Sequence, residues 1–95
     1  MIVIWSPQAK TDYWQNIDYL ELEWTFQDVL NFIEKAESTI QLISNNNTFF
    51  VSTNYKNVHK VVITKQITLY YRVTTTKIEL LRFWNNYQDL ENFKL

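Results

Sequence analysis

The stretch HKVVITKQITLYYRVTTTKIELLRFW, residues 59–84, decides the fold. It holds most of three β-favouring runs, about 58–64, 67–74 and 77–84, separated by Lys65-Gln66 and by Thr75-Thr76. Spacers of that length suit hairpins, so the three runs should pair antiparallel. Alternation is clearest in the middle run. Ile67, Leu69, Tyr71 and Val73 should face one way, and Thr68, Tyr70, Arg72 and Thr74 the other. The chain has no glycine. Asparagine tolerates the left-handed backbone that glycine usually supplies, so Asn54, Asn57 and the run SNNN at 44–47 are expected to make turns.

Upstream, IVIW at 2–5 reads as a short strand, and SPQA opens a helix. Ser6 can cap with its hydroxyl, and Pro7 suits the first helical position, where no N–H is needed. Ala9, Tyr13, Ile17 and Leu20 then recur at the spacing of one helix face, with Asp12, Gln15, Asn16 and Asp18 largely between them. A second helix is expected from TFQD, where Thr25 and Asp28 form a weak capping box. Its apolar face reads Val29, Ile33, Ala36, Ile40 and Ile43. Residues 48–57 read as loop or irregular edge, and the tail LENFKL as a final turn or a segment along the sheet. The order is β-α-α-β-β-β: an α+β domain with a helical hairpin packed on a small antiparallel sheet.

At 95 residues the chain is expected to be one domain, 1–95. It is 46% hydrophobic and 17% aromatic, which argues for a packed core over disorder. With no cysteine and a single histidine, disulfides, thiolate chemistry and zinc sites are not expected; neither is any cofactor. No signal peptide or membrane segment is read, which fits the cytoplasm. The formal net charge is −1, so bulk charge does not announce nucleic-acid binding. The charges segregate, however. Residues 12–37 are acid-rich and 56–82 basic, which suggests two faces with different partners.

Four segments, IVIWSPQAKTDYWQNIDYLELEW, KAESTIQLIS, HKVVITKQITLYYRV and IELLRFWNNYQD, in that order and spacing, resemble the RelE/ParE superfamily of bacterial type II toxin–antitoxin toxins, with the ParE-like branch the nearer. The likeness spans nearly the whole chain. It implies a helical hairpin on a small sheet and a cognate antitoxin lying across the surface. RelE-like members cleave mRNA on the ribosome with basic residues on the sheet and near its C-terminal end. ParE-like members poison DNA gyrase and lack those residues.

Carried over position by position, the nuclease pattern keeps Lys60 and loses the rest. Its second lysine is Val62, its strand arginine falls near Thr68, and its last arginine falls at or near Tyr87. Metal-free RNA cleavage needs groups that activate the 2′-OH, stabilise the phosphorane and protonate the leaving oxygen. Lys60, Arg72, Arg82, Tyr87 and His59 are the candidates. Each has a plainer reading. His59 is a general base or an edge-strand histidine without a role. Arg72 and Arg82 form a cationic patch or pair with Glu79 or a helix carboxylate. Lys65 is a solvated turn lysine. Tyr70, Tyr71, Phe83, Trp84 and Tyr87 are a base-stacking platform or core and cross-strand pairs. Trp5, Trp14 and Trp24 are core candidates, Trp24 alternatively exposed near the helical turn.

Three functions follow. The first is the toxin of a plasmid-stabilisation type of addiction pair, ParE-like, acting by binding a protein target such as gyrase. The second is a ribosome-dependent mRNA endonuclease, needing no metal. The third is a non-toxic interaction module. The near-neutral charge favours the first and third.

Overall fold

A computed structural model describes residues 1–46, 50–88 and 93–95. Its elements are β1 (Ile2–Trp5), α1 (Pro7–Glu23), α2 (Phe26–Asn46), β2 (Val51–Ser52), β3 (Val58–Thr64), β4 (Ile67–Val73) and β5 (Lys77–Asn85). The strands form one sheet in the order β1-β5-β4-β3-β2. The expected hairpins are present: β3–β4 and β4–β5 pair antiparallel. β2, a short edge strand within the expected irregular segment, pairs antiparallel with β3. β1 is different. It lies parallel to β5, Ile2 opposite Lys77 and Trp5 opposite Leu80, so the sheet is mixed where an antiparallel one was expected. The helical hairpin carries the chain across a sheet face after β1. That long connection is what lets the first strand lie parallel beside the last.

Local signals act where the sequence puts them. The Ala9 N–H donates to Ser6 Oγ at 3.0 Å, capping α1. At α2 the Asp28 N–H donates to Thr25 Oγ1 and the Thr25 N–H donates to the Asp28 carboxylate, a reciprocal box. The Thr25 N–H first, and then the Thr25 hydroxyl, which also donates to Asp28 Oδ2, hold the Asp28 carboxyl below its ordinary value. Asn57, at φ 61°, is the only left-handed non-glycine residue among those described, and it sits in the turn before β3. Positions 47–49 and 89–92, parts of the expected turn, loop and tail, lie outside the described residues.

The core lies between the hairpin and one sheet face. Ala9, Ile17, Leu20, Val29, Ala36 and Ile43 meet Ile67, Leu69, Tyr71, Ile78, Leu80 and Phe83. Phe32, absent from the expected apolar face of α2, is fully buried and meets Phe83 edge-on at 6.0 Å. Trp5 stacks on Phe83 at 5.4 Å, and Tyr13 packs edge-on against both. Trp14 corrects the expectation of a core tryptophan: it is 64% exposed. Tyr71 is fully buried, and its hydroxyl accepts the Phe50 N–H at 3.0 Å.

Candidate functional site

Strand alternation leaves a second sheet face, turned away from the helices. Register arranges it in cross-strand rows. Lys60 on β3 lies opposite Tyr70 on β4, which lies opposite Arg82 on β5. The next row is Val62, Thr68 and Trp84; the row on the other side is Val58, Arg72 and Glu79. A shift in the β4–β5 register pairs Tyr70 with Arg82 but Tyr71 with Leu80, which leaves Leu81 as a bulge. A cleft of about 390 Å³ opens here, lined in part by Lys60, Val62, Thr68, Tyr70, Trp84 and Asn86.

The structure disperses the five candidate residues. His59 precedes Lys60 and therefore points to the helix-covered face. Its ring stacks on Tyr71 at 5.5 Å, and its Nδ1 lies 3.1 Å from the Phe50 carbonyl oxygen. Arg72 donates to Glu79 across the strand pair at 3.4 Å, a half-exposed ion pair. Arg82 turns to the edge of β5 and donates from Nε to Asp12 Oδ2 at 2.6 Å and from Nη2 to Asp12 Oδ1 at 3.2 Å. Its Nη1 donates to the Lys94 carbonyl at 2.7 Å. Tyr87 leaves the sheet and stacks on Trp24 at 6.2 Å. Lys60 alone of the five remains exposed on the outer face without an ion-pair partner among the described residues.

Asp12 and Asn16 were read as polar positions between apolar ones, yet both are buried. β1 flanks β5 only as far as Leu80, and beyond it the β5 edge would be bare. The Phe83 N–H donates to Asp12 Oδ2, and Asn16 Nδ2 donates to the Phe83 carbonyl at 2.8 Å. Two side chains one helical turn apart thus replace a neighbouring strand. The signal was in the sequence: Ala9, Asn16 and Leu20 are seven and four apart, on one helix face. Asn86 was also missed. Its N–H donates to the Gln66 carbonyl, its side chain donates to the Lys65 carbonyl, and it accepts from Thr68 Oγ1 at 2.8 Å. The Asn85-Asn86 pair therefore ties the β5 exit to the β3–β4 hairpin.

The aromatics divide between the two faces. Tyr71 and Phe83 are core. Tyr70 and Trp84 face outward and carry Phe93 of the tail at 4.5 and 5.0 Å, so the tail does lie along the sheet where it is described. Burial pushes the Tyr70 phenol above its ordinary value of 10.0, with Tyr55 acting the same way. It stays protonated at neutral pH and is a poor base. Lys65 packs its ammonium over Trp24 at 4.9 Å. Among the described residues, no group of three His, Asp or Glu could hold a metal ion, and no helix is long and apolar enough to cross a membrane. Apart from the Arg72–Glu79 pair, what the described outer face offers chemically is Lys60 beside protonated phenol, hydroxyl and amide groups.

No family model and no curated protein matches the sequence. Solved structures match the fold. The chromosomal ParDE toxin–antitoxin system of P. aeruginosa aligns over 90% of this chain and 95% of that chain, at TM-score 0.73 and 15% identity. The YoeB dimer of Staphylococcus aureus aligns over 92% and 98%, at TM-score 0.64 and 19% identity. YafQ in the E. coli DinJ-YafQ complex aligns over 87% and 90%, at TM-score 0.60 and 13% identity. The chain has the fold of ParE-, YoeB- and YafQ-type toxins, the RelE/ParE fold, and these likenesses do not separate its branches.

Proposed function

We propose that this chain is the toxin of a type II toxin–antitoxin pair, neutralised by a cognate antitoxin and acting by binding a protein target, with DNA gyrase the first candidate. The observation that carries this reading over RNA cleavage is the state of the cations. Arg82 is held by Asp12 and Arg72 is paired with Glu79, which leaves Lys60 as the outer-face candidate cation with no ion-pair partner among the described residues. A phosphorane flanked by one lysine and a protonated tyrosine lacks a base and a second charge. Binding a protein needs neither. The fold shared with ParE-, YoeB- and YafQ-type toxins supports the toxin role, and the named DinJ-YafQ complex supports a protein antitoxin.

The test is induced expression of the intact chain and of Lys60→Ala. Growth arrest by both, with an SOS response and linear DNA, is the expected outcome. Arrest lost in Lys60→Ala, with codon-phased cuts seen by primer extension on a message, would establish the nuclease instead. Normal growth with the intact chain would leave only the interaction module.

A further inference from the structure

The outer face is not open along its whole length. Phe93 lies across it, with its ring 4.5 Å from that of Tyr70 on β4 and 5.0 Å from that of Trp84 on β5. One residue on, the Lys94 carbonyl accepts from Arg82 Nη1 at 2.7 Å. Two contacts of different kinds, aromatic and polar, thus seat two consecutive residues beside the cleft that Tyr70 and Trp84 line. Register builds the seat: Tyr70 and Arg82 are directly opposite, and Trp84 is two residues further along β5. Arg82 can turn one N–H to a carbonyl because Asp12 takes only Nε and Nη2. The fit is incomplete, however. Trp84 is 3% exposed, and its indole N–H has no hydrogen-bond partner among the described residues. The ring of Phe93 carries no oxygen or nitrogen to accept it. A buried donor without an acceptor is costly, so the seat holds Phe93 less firmly than it would hold a better-matched occupant.

We infer that the seat made by Tyr70, Trp84 and Arg82 is a docking site for a peptide segment of a protein partner, and that Phe93 and Lys94 occupy it as a competitor in cis. The partner segment has an aromatic side chain followed by the backbone carbonyl of the next residue, because that is what the seat already accepts. Its ring packs on Tyr70 and Trp84, and its carbonyl takes the Arg82 Nη1 proton. A partner that also brings an acceptor to the indole N–H outbinds Phe93. Charge favours a peptide over nucleic acid. The Arg82 guanidinium is already neutralised by Asp12, so its remaining N–H suits a neutral carbonyl, and a phosphate there would stand near the Asp12 carboxylate. Lys60, across the same row, lines the cleft without an ion-pair partner among the described residues, so a carboxylate in the partner segment completes the match. The inference rests on reading this chain as a protein-binding toxin, and it adds which face binds and what competes for it. Occupation in cis lowers apparent affinity by the fraction of molecules whose seat is empty, so the segment sets how much of the chain is competent to bind.

The probe is acetyl-Phe-Lys-Leu-amide, the sequence of residues 93–95. It is added to the isotope-labelled full chain and to Phe93→Ala, and binding is read at the indole N–H resonance of Trp84. Phe93 lies outside the core between helices and sheet, so Phe93→Ala should fold, which circular dichroism checks. The Trp84 resonance should move in Phe93→Ala and return toward its original position as the tripeptide fills the seat. The Kd should be about millimolar, the effective concentration of a segment on a short tether. The intact chain should bind the tripeptide at least about fivefold more weakly, because its seat is already filled. No tripeptide binding by Phe93→Ala, equal binding by both chains, or a Trp84 shift produced by uridine monophosphate in place of the tripeptide overturns the inference. In cells, Phe93→Ala should arrest growth at lower induction than the intact chain. A weaker arrest, which would make Phe93 itself a contact to the target, also overturns it. Normal growth with both chains defeats the toxin reading alone, and the spectra still decide the competition.

Discussion

Arg82 and Lys60 stand in the same cross-strand row with Tyr70 between them, yet their surroundings are opposite. Arg82 is at the bulged end of the row, where β1 has stopped and α1 lies against the edge of β5. There its guanidinium meets a buried carboxylate that also accepts the Phe83 N–H. Lys60 is at the open end, beside the short strand β2, with no ion-pair partner among the described residues. A cation at a sheet edge covered by a helix becomes part of the fold. The same kind of charge on an uncovered face stays available to a partner. The difference lies in which neighbouring element continues past the residue.

The largest expected effect breaks the covered end. Asp12→Ala strands the Arg82 charge and the Phe83 N–H, and should cost about 3–5 kcal/mol, read by urea unfolding. Asn86→Ala, which unties the β5 exit from the β3–β4 hairpin, should cost about 1–2 kcal/mol in the same assay. Arg72→Ala removes a half-exposed pair and should cost at most about 1 kcal/mol; a loss as large as that of Asp12→Ala would erase the contrast between covered and open charges. Lys60→Ala should change stability by no more than about 0.5 kcal/mol, so any loss of growth arrest in that variant would report on function.

The smallest effect is at the α2 cap. The Asp28 carboxyl is held below its ordinary value of 3.8, so it stabilises the fold above that pH and the contribution is lost as pH falls through the lowered value. Asp28→Asn should therefore lower Tm slightly at neutral pH. The two proteins should converge in strong acid. A gap that persists there would show that the cap does not act through its charge.

Much of the architecture was legible. Ser6 and Thr25 mark helix starts through hydrogen bonds made within three residues, and Pro7 through its fixed φ and missing N–H. The alternation through Leu69 and Tyr71 selects the buried sheet face because side chains on a strand alternate. The pairing of Arg72 with Glu79 and of Arg82 with a helix carboxylate had been among the open readings. The site was less legible. Tyr87 looked like a displaced catalytic position and instead packs on Trp24, a residue more than sixty positions earlier. Trp14 looked like core because large aromatics usually are, but it lies on the outward side of α1.

By itself the sequence determined the element order, the helix starts, the two hairpins and the charge segregation, because each is set by local bonding or periodicity. Only the tertiary structure decided that β1 runs parallel to β5, that Asp12 and Asn16 close a bare strand edge, and that Lys60 is the candidate cation without an ion-pair partner among the described residues. Those outcomes depend on contacts between residues some seventy positions apart. No local spacing encodes them, and β5 needed both a bulge and a helix beside it before the fate of its arginine was settled.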